Sequence, residues 1–313
     1  MPKVLFIDSV HPMIREELLT MGFECDFFPD YGRNDFLMLA ESYAGIIIRS
    51  KIRLDKEFLG KATNLKFIAR VGSGMENIDV VYAEKRGIRC LNSPEGNRDA
   101  VGEHTLGLLL SLLNHLNRAD RQVRSGIWIR EENRGTEIKG KTIGIIGYGN
   151  MGSAFAQRLK GFEARVISYD KYKQNYSDGN TCETSLESIF DQSDIVSLHV
   201  PLTEETTWMV DDSFLKRFRK NIWLINTSRG KIIRTADLVT NMISGKVKGV
   251  ALDVLEYEDT SFETMSAELP PELSYLTASD HVVLTPHIAG WTFESNEKLA
   301  RVLVEKIRVT SDK

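Results

Sequence analysis

The stretch "TIGIIGYGNMGSAFAQRL", residues 142–159, decides the fold of this chain. An apolar run leads directly into Gly147, Gly149 and Gly152, and a helical pattern follows. In this context the first glycine allows a tight turn, the second lets the backbone approach a pyrophosphate, and the third lets the helix pack closely on the strand. The stretch therefore predicts a doubly wound α/β domain in which a helix N-terminus holds the phosphates of a dinucleotide.

An acidic residue after the next strand indicates which dinucleotide is bound. The strand "ARVISYD" ends in Asp170, near the spacing at which an acid binds the ribose hydroxyls of NAD. A carboxylate there repels a 2′-phosphate, so we predict NAD over NADP, although Lys171 and Lys173 follow directly and weaken that preference. The alternative is that Asp170 is an exposed residue that begins a turn.

Apolar runs alternate with amphipathic stretches along the chain, which is typical of βαβ units around parallel sheets. One series comprises "KVLFID", "AGIIIR", "LKFIAR" and "GIRCLN", and a second comprises "KTIGIIG", "EARVISYD", "DIVSLHV", "NIWLINT", "VKGVALDV" and "HVVLTPH". Between the two series, residues 100–123 are predicted to form one long helix with a wide apolar face. The pattern predicts the α/β class with two Rossmann-like parallel-sheet domains, the second inserted into the first.

We place the domain boundaries from the same pattern. Residues 1–95 and 292–313 are predicted to form a flavodoxin-like domain that binds the substrate, and residues 96–291 to form the NAD-binding Rossmann domain. This division requires the helical stretch at 292–309 to return to the N-terminal domain.

Composition excludes several classes of partner. At 313 residues the chain exceeds the usual size of a single core, and its formal net charge of -4 gives no attraction to nucleic acid or to an anionic membrane. The N-terminal apolar run at residues 4–7 is too short for the core of a signal peptide, and the longest apolar run, at residues 106–113, cannot span a bilayer. Three cysteines without a CxxC pair favour reduced thiols, and the six histidines show no metal-ligand spacing. We therefore expect a cytoplasmic protein that binds a small molecule and no metal.

Three polar residues follow strands of the second series: Arg229 in "INTSRG", Glu258 in "ALDVLEYED" and His287 in "TPHIAG". Ligands of a doubly wound sheet bind beyond the carboxyl ends of its strands, so these side chains are expected to converge there. Hydride transfer to a carbonyl needs a proton donor, a group that orients the donor, and a cation for the substrate carboxylate. Histidine, glutamate and arginine meet these needs in turn. Taken singly, each also has an ordinary interpretation as a loop histidine, a solvated acid or a surface arginine.

Seven motifs in fixed order resemble the D-isomer-specific 2-hydroxyacid dehydrogenase family over nearly the whole chain. They are "RVGSGMENID", "GNRDAVGEHT", "GKTIGIIGYGNMG", "HVPLTEET", "INTSRG", "ALDV" and "LTPHIAG". The resemblance implies NAD-dependent hydride transfer between a D-2-hydroxy acid and its 2-oxo acid, with Arg229, Glu258 and His287 as the catalytic set. It also implies that backbone amides around Ser73 and Gly74 hold the substrate carboxylate.

The glycine turn and the matching motifs together supply the predicted cofactor contacts. These are Gly147, Tyr148, Gly149, Asn150, Met151, Gly152, Asp170, His199, Pro201, Thr206, Thr227, Ser228, Asp253 and Gly290, of which the resemblance implies that Thr227 and Asp253 lie near the nicotinamide. Two departures from the family affect the local geometry. Asp259 stands where the family usually has proline, so the choice of Glu258 over Glu256 rests on its spacing of 29 residues from Arg229. Residues 262–276 are predicted to form an additional surface excursion.

The substrate is open among phosphoglycerate, glyoxylate or hydroxypyruvate, and D-lactate types. Strand "AGIII" runs into Arg49, Ser50, Lys51 and Arg53, and this segment resembles the one whose arginine reaches the substrate phosphate in phosphoglycerate dehydrogenases. Since extra cations imply a second anion, we predict 3-phosphoglycerate as substrate, Arg49 as its phosphate ligand, and serine biosynthesis without a C-terminal regulatory domain. The alternative is that Lys51 and Arg53 are solvated and Arg49 packs against the other domain.

Two further expectations come from the resemblance. The helix at 100–123 is similar to the family's dimerisation element, which predicts a homodimer. A corepressor branch of the family senses NAD(H) without catalysis and is the alternative of another class. We predict an enzyme because the sequence shows no appended tail or basic patch.

Overall fold

The computed structural model describes residues 1–258 and 270–311, which fall into two compact units. One unit contains Met1–Arg98 and the segment from Trp291 onward, and the other contains Asp99–Glu258 and the segment that ends at Gly290.

The helices and strands of the described residues alternate through most of the chain. In order they are β1 (Lys3–Phe6), α1 (Pro12–Thr20), β2 (Glu24–Phe27), α2 (Arg33–Leu39), β3 (Gly45–Ile48), α3 (Lys56–Lys61), β4 (Phe67–Arg70), α4 (Val80–Lys85), β5 (Arg89–Asn92), α5 (Pro94–Leu113), α6 (Leu116–Arg124), β6 (Thr142–Ile146), α7 (Asn150–Arg158), β7 (Arg165–Tyr169), β8 (Cys182–Glu183), α8 (Leu186–Gln192), β9 (Ile195–Leu198), α9 (Asp212–Lys216), β10 (Ile222–Asn226), α10 (Thr235–Ile243), β11 (Val247–Leu252), α11 (Pro271–Ala278), β12 (Val282–Leu284) and α12 (Phe293–Ser311).

The first unit is built on a parallel sheet with the strand order β2-β1-β3-β4-β5. Every residue of the central strand β3 is buried, because apolar side chains cover the sheet on both faces. Helix α12 contributes Ala300, Leu303, Val304 and Ile307 to one of these apolar clusters. Their spacing of three or four residues puts them on one face of the helix, so α12 packs within this unit.

The second unit has a parallel sheet with the order β12-β11-β10-β9-β6-β7-β8. Strand β6, which precedes the glycine turn, is buried at all its residues. The two parallel sheets confirm the predicted fold class. The sequence did not reveal β2 and β8, which lie at sheet edges and whose side chains are only half-buried or exposed.

The predicted single helix at 100–123 is wrong. Helix α5 ends at Leu113 and α6 begins at Leu116, because His115 between them has a left-handed backbone with φ 52°. The last turns of α5 are buried, whereas α6 has no buried residue. The wide apolar face therefore belongs to α5 alone, and the polar segment "NHLNRADRQVR" does not continue it.

The prediction of a surface excursion at 262–276 is wrong for the last part of that range. Its last part lies in α11, whose Leu273 and Leu276 are buried, so these residues pack against the unit instead of leaving it. Asp259 and residues up to 269 lie outside the described residues.

Within the described ranges, no helix is long and apolar enough to cross a bilayer. The three cysteines, Cys25, Cys90 and Cys182, are free thiols.

Candidate active site

The glycine turn between β6 and α7 depends on glycine at two positions and opens outward at a third. Gly147 has a φ of 93°, and a Cβ on it would lie 2.5 Å from the carbonyl oxygen of His199. A Cβ on Gly152 would lie 2.1 Å from the carbonyl oxygen of Gly147. Gly149, the N-cap of α7, has nothing within 4 Å of the position of a Cβ. This open cradle at a helix N-terminus fits the pyrophosphate of a dinucleotide.

Asp170 directly follows β7, the strand next to β6. Its carboxylate accepts hydrogen bonds from the backbone amides of Tyr148 at 2.8 Å and Tyr172 at 3.0 Å. The phenol of Tyr148 turns to Asp178, 3.0 Å away, and stacks on Tyr176. The backbone amide of Tyr148 therefore connects Asp170 to the glycine turn. Asn150 and Met151, two further predicted cofactor contacts, are the first residues of α7.

The loop after β9 contains the predicted contacts of the "HVPLTEET" motif. The imidazole of His199 is buried, with Nε2 2.8 Å from Ser197 Oγ, and burial lowers its pKa to about 3. His199 is therefore neutral at physiological pH, and its carbonyl group lies against the glycine turn. Thr206 Oγ1 donates to the carbonyl oxygen of Pro201 at 2.6 Å, which sets the path of the loop.

Arg229 is held at the end of β10 by a buried asparagine. The Asn226 amide donates to the Arg229 carbonyl oxygen at 2.9 Å, and its side-chain oxygen accepts from Ser228 N at 3.0 Å and Ser228 Oγ at 2.7 Å. Arg229 Nη1 donates to the carbonyl oxygen of Ser228 at 2.6 Å. Thr227 is buried, with Oγ1 3.1 Å from Thr105 Oγ1. These bonds fix the backbone from which the guanidinium projects.

Asp253, at the end of β11, organises the loop that carries His287. Its buried carboxylate accepts from the backbone amides of Ile288 and Ala289, each at 2.9 Å, and from Thr285 Oγ1 at 2.6 Å. Its carbonyl oxygen accepts from His287 N at 2.7 Å. The loop thereby holds His287 in a left-handed conformation, with φ 55°. Such a backbone is uncommon for a residue other than glycine and indicates that the surrounding bonds determine it.

His287 and Glu258 form the central pair of the site. His287 Nδ1 lies 2.7 Å from Glu258 Oε2, and both side chains are largely buried. The other carboxylate oxygen, Glu258 Oε1, accepts from Leu255 N, which fixes the acid. Glu256 points elsewhere, since it accepts from Trp208 Nε1 at 2.6 Å and Thr235 N at 2.8 Å. The carboxylate beside His287 is therefore that of Glu258.

The strand order explains how distant residues meet. Arg229, Glu258 and His287 follow β10, β11 and β12, which are neighbours in one parallel sheet. Parallel neighbours end at the same edge, so the three residues lie on one side of the unit. Gly290, another predicted cofactor contact, is the last residue of the C-terminal segment of this unit.

The predicted substrate residues lie in the first unit. Ser73 Oγ donates to Asn97 Oδ1 at 2.7 Å, and the Ser73 carbonyl oxygen accepts from Asn92 Nδ2 at 2.7 Å, so the loop of Ser73 and Gly74 after β4 is tied to β5 and α5. The guanidinium of Arg49, after β3, lies 4.1 Å over the ring of Trp291.

The supporting groups Asn226 and Thr285 were not predicted from the sequence. Both lie inside matched motifs, "INTSRG" and "LTPHIAG", and both bond to turns that present a candidate catalytic residue. His104 Nε2, 3.1 Å from Thr285 Oγ1, also joins this network. Asn226 stands three positions before Arg229, and Thr285 stands two positions before His287. This closeness in sequence was the signal that could have identified them.

The glycine turn, Asp170 and the His287–Glu258 pair together define a nicotinamide-dependent oxidoreductase. The family model "D-isomer specific 2-hydroxyacid dehydrogenase, NAD binding domain" matches residues 106–289. The chain belongs to the D-isomer specific 2-hydroxyacid dehydrogenase family, and it is an NAD-dependent enzyme of that family. The prediction of an NAD-dependent enzyme is thereby confirmed.

Individual relatives carry different names. A hydroxypyruvate reductase of Thermotoga maritima is 36% identical over 84% of this chain and 83% of its own length. A D-3-phosphoglycerate dehydrogenase of Archaeoglobus fulgidus is 32% identical over 97% of this chain, which spans only 56% of that protein. Among solved structures, a glyoxylate reductase from Paecilomyes thermophila matches with a TM-score of 0.88 at 26% identity, covering 100% of this chain and 96% of that one.

Asp170→Ala tests the predicted charge-assisted hydrogen bonds between this carboxylate and the ribose hydroxyls, whose loss should weaken NADH binding by about ten- to a hundredfold. Calorimetric titration of NADH measures the change, and kcat at saturating NADH should fall much less. Asp178→Ala is the matched control, since Asp178 accepts from Tyr148 Oη and its loss should leave the NADH dissociation constant within about threefold. Equal use of NADH and NADPH by the unaltered protein would contradict the role of Asp170.

Proposed function

We propose that this enzyme reduces a 2-oxo acid to a D-2-hydroxy acid and catalyses the reverse oxidation, with His287 as acid and base. The observation that carries this proposal is the 2.7 Å contact between His287 Nδ1 and Glu258 Oε2 at the ends of neighbouring strands. The glycine turn and Asp170 would hold NAD, which would supply or accept the hydride when bound.

The proposed proton transfer uses the two nitrogens of one imidazole. With Nδ1–H donating to Glu258, Nε2–H gives its proton to the substrate oxygen as the carbonyl carbon gains the hydride. In the oxidation direction Nε2 removes the hydroxyl proton. The Glu258 carboxylate fixes the ring orientation and stabilises the protonated imidazole. Arg229 binds the substrate carboxylate through its planar fork, and the Ser73 and Gly74 amides are proposed as further ligands of the same group.

The first substrate candidate is 3-phosphoglycerate, with its 2-oxo product 3-phosphohydroxypyruvate and a role in serine biosynthesis. Arg49 supports this candidate because it directly follows β3, at the carboxyl end of that strand. Lys51 does not support it, since Nζ donates to the Pro29 carbonyl oxygen at 2.6 Å. The second candidate is an unphosphorylated acid, glyoxylate or hydroxypyruvate, and stacking of Arg49 on Trp291 favours it.

Arg49→Ala separates the two candidates. If Arg49 binds a phosphate, KM for 3-phosphohydroxypyruvate should rise by about ten- to a hundredfold, the effect of losing a charge-assisted contact. KM for hydroxypyruvate should change by less than about threefold, and Lys51→Ala is the control for general loss of charge. A higher kcat/KM for hydroxypyruvate than for 3-phosphohydroxypyruvate in the unaltered enzyme would establish the second candidate instead.

We also propose a homodimer. The second unit exposes apolar side chains on α6 and just beyond it, at Leu116, Val123, Ile127 and Trp128. An apolar group of this kind is typical of an interface, and a second copy of the chain is the proposed occupant. Sedimentation at micromolar concentration should show a dimer that Trp128→Glu weakens; a monomer would contradict the proposal.

A further inference from the structure

A charged bridge joins two loops on either side of the glycine turn. Lys171, in the loop after β7, forms an ion pair with Glu205, in the loop after β9. Tyr172 Oη donates to the second carboxylate oxygen of Glu205 at 2.7 Å. Since β6 lies between β7 and β9 in the sheet, the bridge spans the carboxyl end of the strand that leads into the turn.

The bridge binds Lys171, which is the cation nearest to Asp170 in the sequence. Sites of this fold that accept NADP place a cation near the acidic position to bind the 2′-phosphate. Lys171 is adjacent to Asp170, and its hydrogen bond lowers the pKa of Glu205, so the pair is ionised at neutral pH. The second lysine of the loop, Lys173, is also engaged, since Nζ donates to the Tyr148 carbonyl oxygen at 2.7 Å.

We propose that Glu205 is a specificity-determining residue for the cofactor. By holding Lys171, it withholds a cation from the 2′-phosphate of NADP and strengthens the preference for NAD that Asp170 sets. The proposal rests on the assignment of the nucleotide to the glycine turn and Asp170. About half of each side chain in the pair is exposed, so releasing Lys171 should change relative affinities by about three- to tenfold.

Calorimetric titration of the enzyme with NADH and NADPH, without substrate, tests the proposal. In Glu205→Gln the NADPH dissociation constant should fall by about three- to tenfold, because the freed lysine can pair with the 2′-phosphate, while the NADH constant stays within about twofold. Glu204→Gln, which removes the same charge from the neighbouring position, is the matched control. Lys171→Met, alone and combined with Glu205→Gln, tests whether the gain acts through the lysine.

The proposal requires the gain in NADPH affinity to fall below twofold when Lys171 is methionine. A gain of twofold or more without Lys171, or an equal gain in Glu204→Gln, would show general charge repulsion and overturn the proposal. A change below twofold in Glu205→Gln itself would also overturn it. Failure of the underlying site assignment has a different signature, since Asp170→Ala would then leave NADH binding unchanged.

Discussion

Replacing His287 by alanine should lower kcat for reduction of the 2-oxo acid by about two to four orders of magnitude, the usual contribution of a positioned acid or base. The reaction then loses its proposed proton donor, while the glycine turn and Asp170, on other loops of the unit, are unchanged. Steady-state kinetics with NADH measures kcat, and titration should give an NADH dissociation constant within about threefold of that of the unaltered enzyme.

Two further variants separate chemistry from folding. His287→Asn retains a residue that tolerates the left-handed backbone at φ 55°, so its kcat should fall as far as that of the alanine variant without the same backbone strain. His281→Ala, an exposed histidine just before β12, should change kcat by less than about threefold. Retention of more than a tenth of the activity in both His287 variants would contradict a role in proton transfer.

Arg229→Met should lower kcat/KM for the 2-oxo acid by about two to three orders of magnitude, because a bidentate, charge-assisted pair with the substrate carboxylate is lost. Methionine keeps much of the length of the side chain but not its charge. Initial rates at low substrate concentration give kcat/KM directly. Addition of guanidinium ions should restore part of the activity if the missing group is the cation itself.

Arg234 supplies the control for that substitution. It lies five residues later, at the start of α10, where its guanidinium stacks over Trp208. Arg234→Met should change kcat/KM by less than about threefold, since exposed charges contribute little. Comparable losses in the two variants would show that general charge, and not carboxylate binding, accounts for the effect.

The parts of the fold that were predictable depend on local sequence. Strand β3 and strand β6 are continuous apolar runs, and Gly147 and Gly152 stand where a side chain would collide with backbone. Such patterns are visible because neighbouring residues in sequence determine them. The break at His115 was not visible, since it depends on one residue adopting a positive φ between two helical segments.

The parts of the site that were not predictable depend on pairs far apart in the chain. Spacing from Arg229 was the only ground in the sequence for preferring Glu258 to Glu256, whereas in the structure Glu258 contacts Leu255 N and His287. The bridge between Lys171 and Glu205 likewise joins two loops that meet only because β7 and β9 flank β6. Long-range pairing of this kind leaves no periodic signal in a single sequence.

The kcat for reduction, compared between Glu258→Gln and Glu256→Gln at one pH, shows whether His287 and Glu258 act as one pair in proton transfer. Glu258 contacts His287 Nδ1 at 2.7 Å, so its carboxylate is proposed to orient the imidazole and to stabilise the positive charge on it. Glu258→Gln should lower kcat by about two orders of magnitude or more, with an NADH dissociation constant within about threefold of that of the unaltered enzyme. Glu256→Gln should leave kcat within about threefold, because Glu256 bonds to Trp208 and Thr235 and not to His287. A loss of activity in Glu256→Gln without one in Glu258→Gln would contradict the proposed pair.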